Sequence, residues 1–156
     1  ASLQAEFDVT VITQNIDDLH ERAGSEKVVH LHGEILKMRS EKNEELVYPI
    51  TGMIRPGDRA EDGAQLRPDI VWFEEPVPRM EAAILFTKSA DIFLIVGTSL
   101  AVYPAAGLVN YAPWPIPKYI IDKKIPYISS LYNLKVLEML ASEGMRKLKG
   151  ELLAML

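Results

Sequence analysis

The chain of 156 residues contains no cysteine. That excludes disulfides and thiolate metal sites. It is compatible with a reducing compartment, so a cytoplasmic location is expected. No apolar run reaches the roughly 18 residues that a bilayer-crossing helix needs, and these residues carry no signal-peptide pattern. Positive charge is in short supply: 17 Lys and Arg stand against 22 Asp and Glu, for a net charge of −5. No general attraction to nucleic acid or to an anionic membrane is therefore expected. None of the nine glycines falls in a G-x-G-x-x-G turn. There is no internal repeat and no low-complexity tract.

What is present is ordinary for a soluble globular domain. The chain is 48% hydrophobic and 25% charged, long enough for one sizeable core. It opens on Ala1 rather than Met, and an apolar run begins within nine residues. It is expected to be a piece of a longer protein.

The stretch Thr10 to Gly33 organises the rest. Val9 to Thr13 is short, apolar and β-branched, like a buried strand. It breaks into Gln14, Asn15, Ile16 and Asp17, so three polar side chains emerge at one strand end, where open α/β sheets place ligand sites. A short helix is expected over Asp18 to Ala23, stopped by Gly24. A second apolar run, Val28 to Leu31, ends in His32-Gly33. After it the character changes. Residues 34–67 include the charged run RSEKNEE and four punctuating residues, Gly52, Pro56, Gly57 and Gly63. They are expected to form a small inserted lobe with one short strand near Leu46 to Ile50.

The sheet is expected to resume at Asp69 to Phe73, followed by a helix over Arg79 to Ser89. Asp91 to Val96 is nearly all apolar, as a parallel strand covered on both faces should be. A helix from Pro104 to Tyr111 and a strand from Lys118 to Ile121 follow. A last strand is expected over Val136 to Leu140, and a final helix capped by Ser142. Strands alternating with helices indicate an α/β fold with a mostly parallel sheet. Residues 1–33 and 68–156 would make that domain around the inserted lobe.

Several residues carry chemistry, each with a bland alternative. Gly97-Thr98-Ser99 follows a buried strand and precedes a helix; it suits a phosphate or ribose, or is a plain turn. Asp122 ends the next parallel strand, where it could hold a ribose hydroxyl or merely terminate the strand. His30 and His32 are two apart on a strand and so share a face. The spacing suits a metal pair completed by Asp17 or Asp18, or one structural histidine beside one base. Asp17 could simply cap the following helix, a reading that explains Gln14 poorly.

Together these motifs resemble the sirtuin family of NAD-dependent protein-lysine deacylases. TQNID-x-LH-x-x-AG at Thr13 to Gly24 is similar to the family signature, and HLHG at His30 to Gly33 to its catalytic segment. DIVWFEEP at Asp69 to Pro76 resembles the substrate motif, and GTSLAVYPAAG at Gly97 to Gly107 the cofactor loop. The resemblance implies a Rossmann-like NAD-binding fold with helices on both faces. It implies that Gln14, Asn15, Ile16 and Asp17 surround nicotinamide and its ribose, and that His32 is the general base. Val71, Trp72, Phe73 and Glu74 would pair with the backbone of an acyl-lysine peptide. Gly97, Thr98, Ser99, Asp122 and Ala141 would contact the adenosine half of NAD. In the implied reaction the acyl-lysine oxygen displaces nicotinamide from its ribose. His32 then takes a proton from a ribose hydroxyl, and the products are free lysine and O-acyl-ADP-ribose.

Three departures from the family qualify this. Many sirtuins hold zinc with four cysteines; here Ser40 and Asn43 stand where the first Cys-x-x-Cys pair would fall, so no zinc is expected. Glu74 replaces a glycine of the substrate motif. The family's first strand and glycine-rich phosphate loop are absent, so this chain alone is expected to bind NAD poorly, to turn over nothing, and to self-associate through open strand edges. Two rival readings stand beside the deacylase: a non-catalytic NAD or ADP-ribose binding module, and a metal-dependent hydrolase using His30, His32 and an aspartate.

Overall fold

A computed structural model describes residues 1–128 and 131–156. By contacts the chain divides into two compact units, Ala1 with Val9–Arg79 and Ser2–Asp8 with Met80–Leu156. The boundaries expected at 33/34 and 67/68 both fall inside the first unit.

In the first unit, β1 (Val11–Thr13) and β2 (Val28–His30) pair in parallel, with Val11 opposite Val28 and Thr13 opposite His30. Between them lies the single-turn helix α1 (Leu19–Arg22). Gly24, at φ 88°, takes the left-handed conformation that ends such a helix. The strands β3 (Gly33–Ser40), β4 (Val47–Pro49) and β5 (Leu66–Ile70) form an antiparallel sheet in the order β4-β3-β5.

Here the structure corrects the sequence reading. The segment after His32, where only one short strand near Leu46 to Ile50 is expected, opens as an eight-residue strand. The expected strand at Asp69 to Phe73 lies earlier, at Leu66–Ile70, and joins this antiparallel sheet rather than a parallel one. Two features explain it. Gly33, at φ 82°, lets the backbone of Asp69 approach so closely that a Cβ would overlap the Asp69 carbonyl oxygen. Pro68 has no N–H to give, and β5 is an edge strand whose register with β3 shifts between Glu34 and Met38.

The buried part of this sheet is largely polar. Leu46, Tyr48 and Ile50 are only half-buried and Val47 is exposed, so they do not hold the lobe as an apolar core would. Ser40 is fully buried. Its hydroxyl donates to Asp62 Oδ2 at 2.6 Å and accepts the N–H groups of Lys42 and Asn43 at 3.0 and 3.2 Å. That bond holds the Asp62 carboxyl below its ordinary range. Hydrogen bonds thus organise the turn at Ser40 to Asn43. We expect the purified protein to carry no stoichiometric zinc, and chelator to leave its thermal midpoint unchanged. Ser40→Ala should cost about 1–3 kcal/mol in a urea titration, because it removes three hydrogen bonds worth about 0.5–1.5 kcal/mol each, less what water returns to the exposed partners. One chelation-resistant zinc per chain would overturn this account.

In the second unit, β6 (Phe93–Val96), β7 (Lys118–Asp122) and β8 (Leu134–Glu138) form a parallel sheet in the order β6-β7-β8. The central strand β7 buries Tyr119, Ile120 and Ile121, as a strand covered on both faces does. Its first residue, Lys118, is buried too; Nζ donates to the carbonyls of Pro113, Trp114 and Ile116 at 2.8–3.2 Å, which fixes the proline-rich connection. Helix α2 (Met80–Lys88) precedes β6. The helix expected from Pro104 is a 3₁₀ helix, Ala105–Tyr111. Helix α3 (Ala141–Leu153) follows β8. Its N-cap is Leu140, with no side-chain cap, not Ser142. Gly144 seats α3 on β7, since a Cβ there would overlap the Ile121 side chain. With two of the three sheets parallel and helices between their strands, the fold is α/β.

Candidate active site

In the first unit the polar residues cluster where β1 and β2 end. Three successive carbonyls after β1 are bound by residues 30–35. Gln14 O accepts from His32 Nδ1 at 3.0 Å, Asn15 O from His30 Nδ1 at 3.1 Å, and Ile16 O from the Ile35 N–H at 2.8 Å. The carbonyl of Gln14 can only accept, so Nδ1 of His32 carries the proton. In the neutral ring Nε2 is then the basic nitrogen, and it meets no hydrogen-bond partner among the described residues. His32 is half-buried. The ring is thus held in one tautomer and one orientation, an arrangement that can serve a general base.

His30 is buried and used up on both sides. Its Nε2 faces Glu21 Oε1 at 2.7 Å while its Nδ1 faces Asn15. The His30 ring holds the Glu21 carboxyl below its ordinary range. The alternative of a metal pair fails here: His30 has no nitrogen left for a ligand bond, and the described residues contain no metal-holding group of His, Asp and Glu. Asp17 Oδ1 accepts the Leu19 N–H at 3.1 Å at the start of α1.

The segment after β5 also belongs to this unit. The Val71 N–H donates to His32 O at 2.9 Å, tying it to the histidine. Trp72 to Glu75 then form a β-turn closed by Glu75 N–H to Trp72 O at 3.2 Å, with Glu74 at φ 73°. A positive φ at the third residue is the type II requirement that favours glycine. Arg67 clamps this turn: Nη1 and Nη2 reach the Glu75 carboxylate at 2.6 and 3.0 Å, and Nη2 reaches Ile70 O at 3.2 Å. Glu75 Oε2 accepts the Trp72 N–H as well, at 2.9 Å. The N–H groups of Phe73 and Glu74 meet no acceptor among the described residues. A second pair of clamps lies behind the histidines. Arg79 Nη1 donates to His30 O at 3.0 Å, and its Nη2 lies 3.6 Å from the buried Asp69 carboxylate.

Arg67, Glu75, Arg79 and Asp69 were not singled out from the sequence. Nothing local marks them, because each reaches across strands. Arg67 and the Trp72 N–H hold the Glu75 carboxyl below its ordinary range. Such a group adds stability that is complete above the unfolded carboxylate pKa of about 4.3 and is lost as pH falls through the lowered folded value. Glu75→Gln should therefore flatten the acid limb of the thermal-midpoint profile below about pH 4. An acid limb identical to wild type would remove Glu75 from this role.

In the second unit the expected residues gather at the C-terminal ends of the parallel strands, the usual ligand edge of such sheets. Gly97 follows β6 at φ 62°, and nothing within 4 Å would meet a Cβ there, which leaves the backbone open to a ligand. Thr98 Oγ1 accepts the Leu100 N–H at 3.2 Å, and Ser99 is exposed. Asp122 ends β7 and its Oδ1 accepts the Lys124 N–H at 3.0 Å. Ala141 is the first residue of α3 and is exposed.

Comparison with known proteins places this geometry. A model of the Sir2 family matches residues 1–104. The chain is 48% identical over 155 residues to an NAD-dependent protein deacylase of Bacteroides thetaiotaomicron, covering 96% of this chain and 66% of that protein. It is 46% identical over 155 residues to the NAD-dependent protein deacylase of Helicobacter pylori strain 26695, covering 99% and 68%. Among solved structures it is similar to a Sir2 homolog–NAD complex, with TM-score 0.81 and 31% identity over 97% of this chain and 61% of that one. It is also similar to a Sir2 bound to acetylated peptide, with TM-score 0.78 and 30% identity over 97% and 67%. The chain spans about two thirds of the length of the curated relatives it matches.

Proposed function

This chain belongs to the Sir2 family, and on that premise we propose that the protein removes acyl groups from protein lysines with NAD as co-substrate, releasing nicotinamide and O-acyl-ADP-ribose. The observation that carries the proposal is the tautomer of His32: the proton on Nδ1 is held by Gln14 O, which leaves Nε2 as a base. NAD would supply an electrophilic ribose carbon with nicotinamide as its leaving group. Gln14, Asn15, Ile16 and Asp17 would hold the nicotinamide and its ribose. Gly97, Thr98, Ser99, Asp122 and Ala141 would hold the adenosine half. The open backbone at Gly97 fits such a ligand. His32 would take the proton of a ribose hydroxyl and so make it nucleophilic.

The acyl-lysine peptide would add along residues 71–74. Val71 and Trp72 have already spent their N–H groups, so Phe73 and Glu74 are the donors left for it. Residues 1–33 and 68–156 would supply the NAD-binding fold, and 34–67 the lobe that replaces a zinc module. The absence of cysteine supports a cytoplasmic location. Cell fractionation checks that location.

The test of function is mass spectrometry of an acetyl-lysine peptide incubated with NAD and the protein as its gene encodes it. The expected result is deacetylated peptide, nicotinamide and O-acetyl-ADP-ribose in equal amounts. The strained Glu74 favours the second reading, a binding module. Binding of NAD with no nicotinamide released would establish that reading instead.

A further inference from the structure

Glu74 is the one residue of the turn that breaks a local rule without an evident gain. It sits at φ 73°, a conformation that costs a residue with a Cβ roughly 1–2 kcal/mol and glycine nothing. It makes no contact that offsets this, because its side chain is exposed and has no hydrogen bond or ion pair among the described residues. A strained residue with no structural return is reason to look for a functional one.

Its neighbour differs in the respect that matters. Glu75 is also acidic, but Arg67 binds both of its carboxylate oxygens and cancels its charge locally. The other cation of this segment, Arg79, is spent on His30 O, Glu34 and Asp69. Glu74 therefore supplies the uncompensated charge of the turn. Its N–H and that of Phe73 are also the backbone donors left for an incoming strand. A peptide backbone taken up by these two N–H groups would run directly beside the exposed Glu74 side chain. An acylated lysine has lost its own charge. The charges that a carboxylate here would meet are those of the residues flanking it.

Resting on the deacylase reading above, we propose that Glu74 selects substrates: the protein prefers acyl-lysine peptides with Lys or Arg beside the acylated residue and discriminates against acidic flanks. The interaction is an exposed ion pair across a strand, so its effect is modest and salt-sensitive.

The test uses two acetyl-lysine peptides of equal length, one with Arg and one with Glu on both sides of the acetyl-lysine. Each is titrated by fluorescence anisotropy against wild type, Glu74→Gln and Glu74→Gly, and each is assayed separately for deacetylation with NAD. Glu74→Gln keeps the shape and removes only the charge. Wild type should bind the basic peptide about two- to fivefold more tightly, the range of an exposed pair. In Glu74→Gln, or in about 1 M salt, where the Debye length is near 3 Å, the ratio should fall to about one. A ratio unchanged in Glu74→Gln, or a wild type that does not discriminate, overturns the proposal. The two readings fail separately. Discrimination without deacetylation would sink the enzyme and keep this role, while equal deacetylation of both peptides would do the reverse. Failure of either peptide to bind any of the three forms would sink both.

Discussion

In the protein as its gene encodes it, His32→Ala is expected to lower deacylation by roughly 10²–10⁴-fold, the worth of a positioned general base. No other side chain at this strand end presents a free basic nitrogen, since both ring nitrogens of His30 are engaged. The fold should survive. His32 is half-buried and its ring makes one hydrogen bond, to Gln14 O, so the loss is about 1 kcal/mol. The measurement is kcat on an acetylated peptide at saturating NAD, alongside a denaturation curve. A variant within a factor of a few of wild type would remove His32 from the role of base.

The second large effect is on stability. Gly33→Ala should cost roughly 2–5 kcal/mol, from an overlap of the kind that costs 1–3 and a left-handed backbone that costs 1–2 more. The overlap is with backbone, the carbonyl of Asp69 and the Cα of Ile70, so no rotamer change relieves it. Relief requires β5 to move away from the start of β3. That movement would break the Val71 N–H bond to His32 O and disturb the histidine with it. Gly57→Ala is the control. Gly57 also has a positive φ, 99°, but nothing lies within 4 Å of its Cβ position, so only the backbone term of about 1–2 kcal/mol remains. Equal midpoints for the two variants in urea would show that the close approach at Gly33 is not what holds the sheet.

Much of the site was legible because its residues are contiguous. Gln14 to Asp17 follow an apolar run, and His32-Gly33 end another, so position at a strand end could be read from period and punctuation alone. The same holds for Gly97 to Ser99 after β6 and Asp122 at the end of β7. Elements built on non-local pairing were read less well. A short apolar run such as DIVWF states that a strand is near but not which strand it joins. Its antiparallel partner β3 was hidden in a mixed sequence, Gly33 to Ser40, where three charged residues alternate with apolar ones.

The sequence by itself determined which chemistry is available to this protein. Composition settles the thiolate question outright, because a residue type that occurs nowhere cannot be supplied by folding. The order and wording of four motifs identified the family, and the residues that belong to them follow from position in the chain. Tertiary structure alone decided how those residues are wired. That Nδ1 of His32 meets Gln14 O, that Glu21 takes up Nε2 of His30, and that Arg67 binds the Glu75 carboxylate are facts about partners 8 to 18 residues apart. Such hydrogen bonds depend on strand register and on the backbone path through Gly33, and a local pattern of apolar and polar letters carries no record of either.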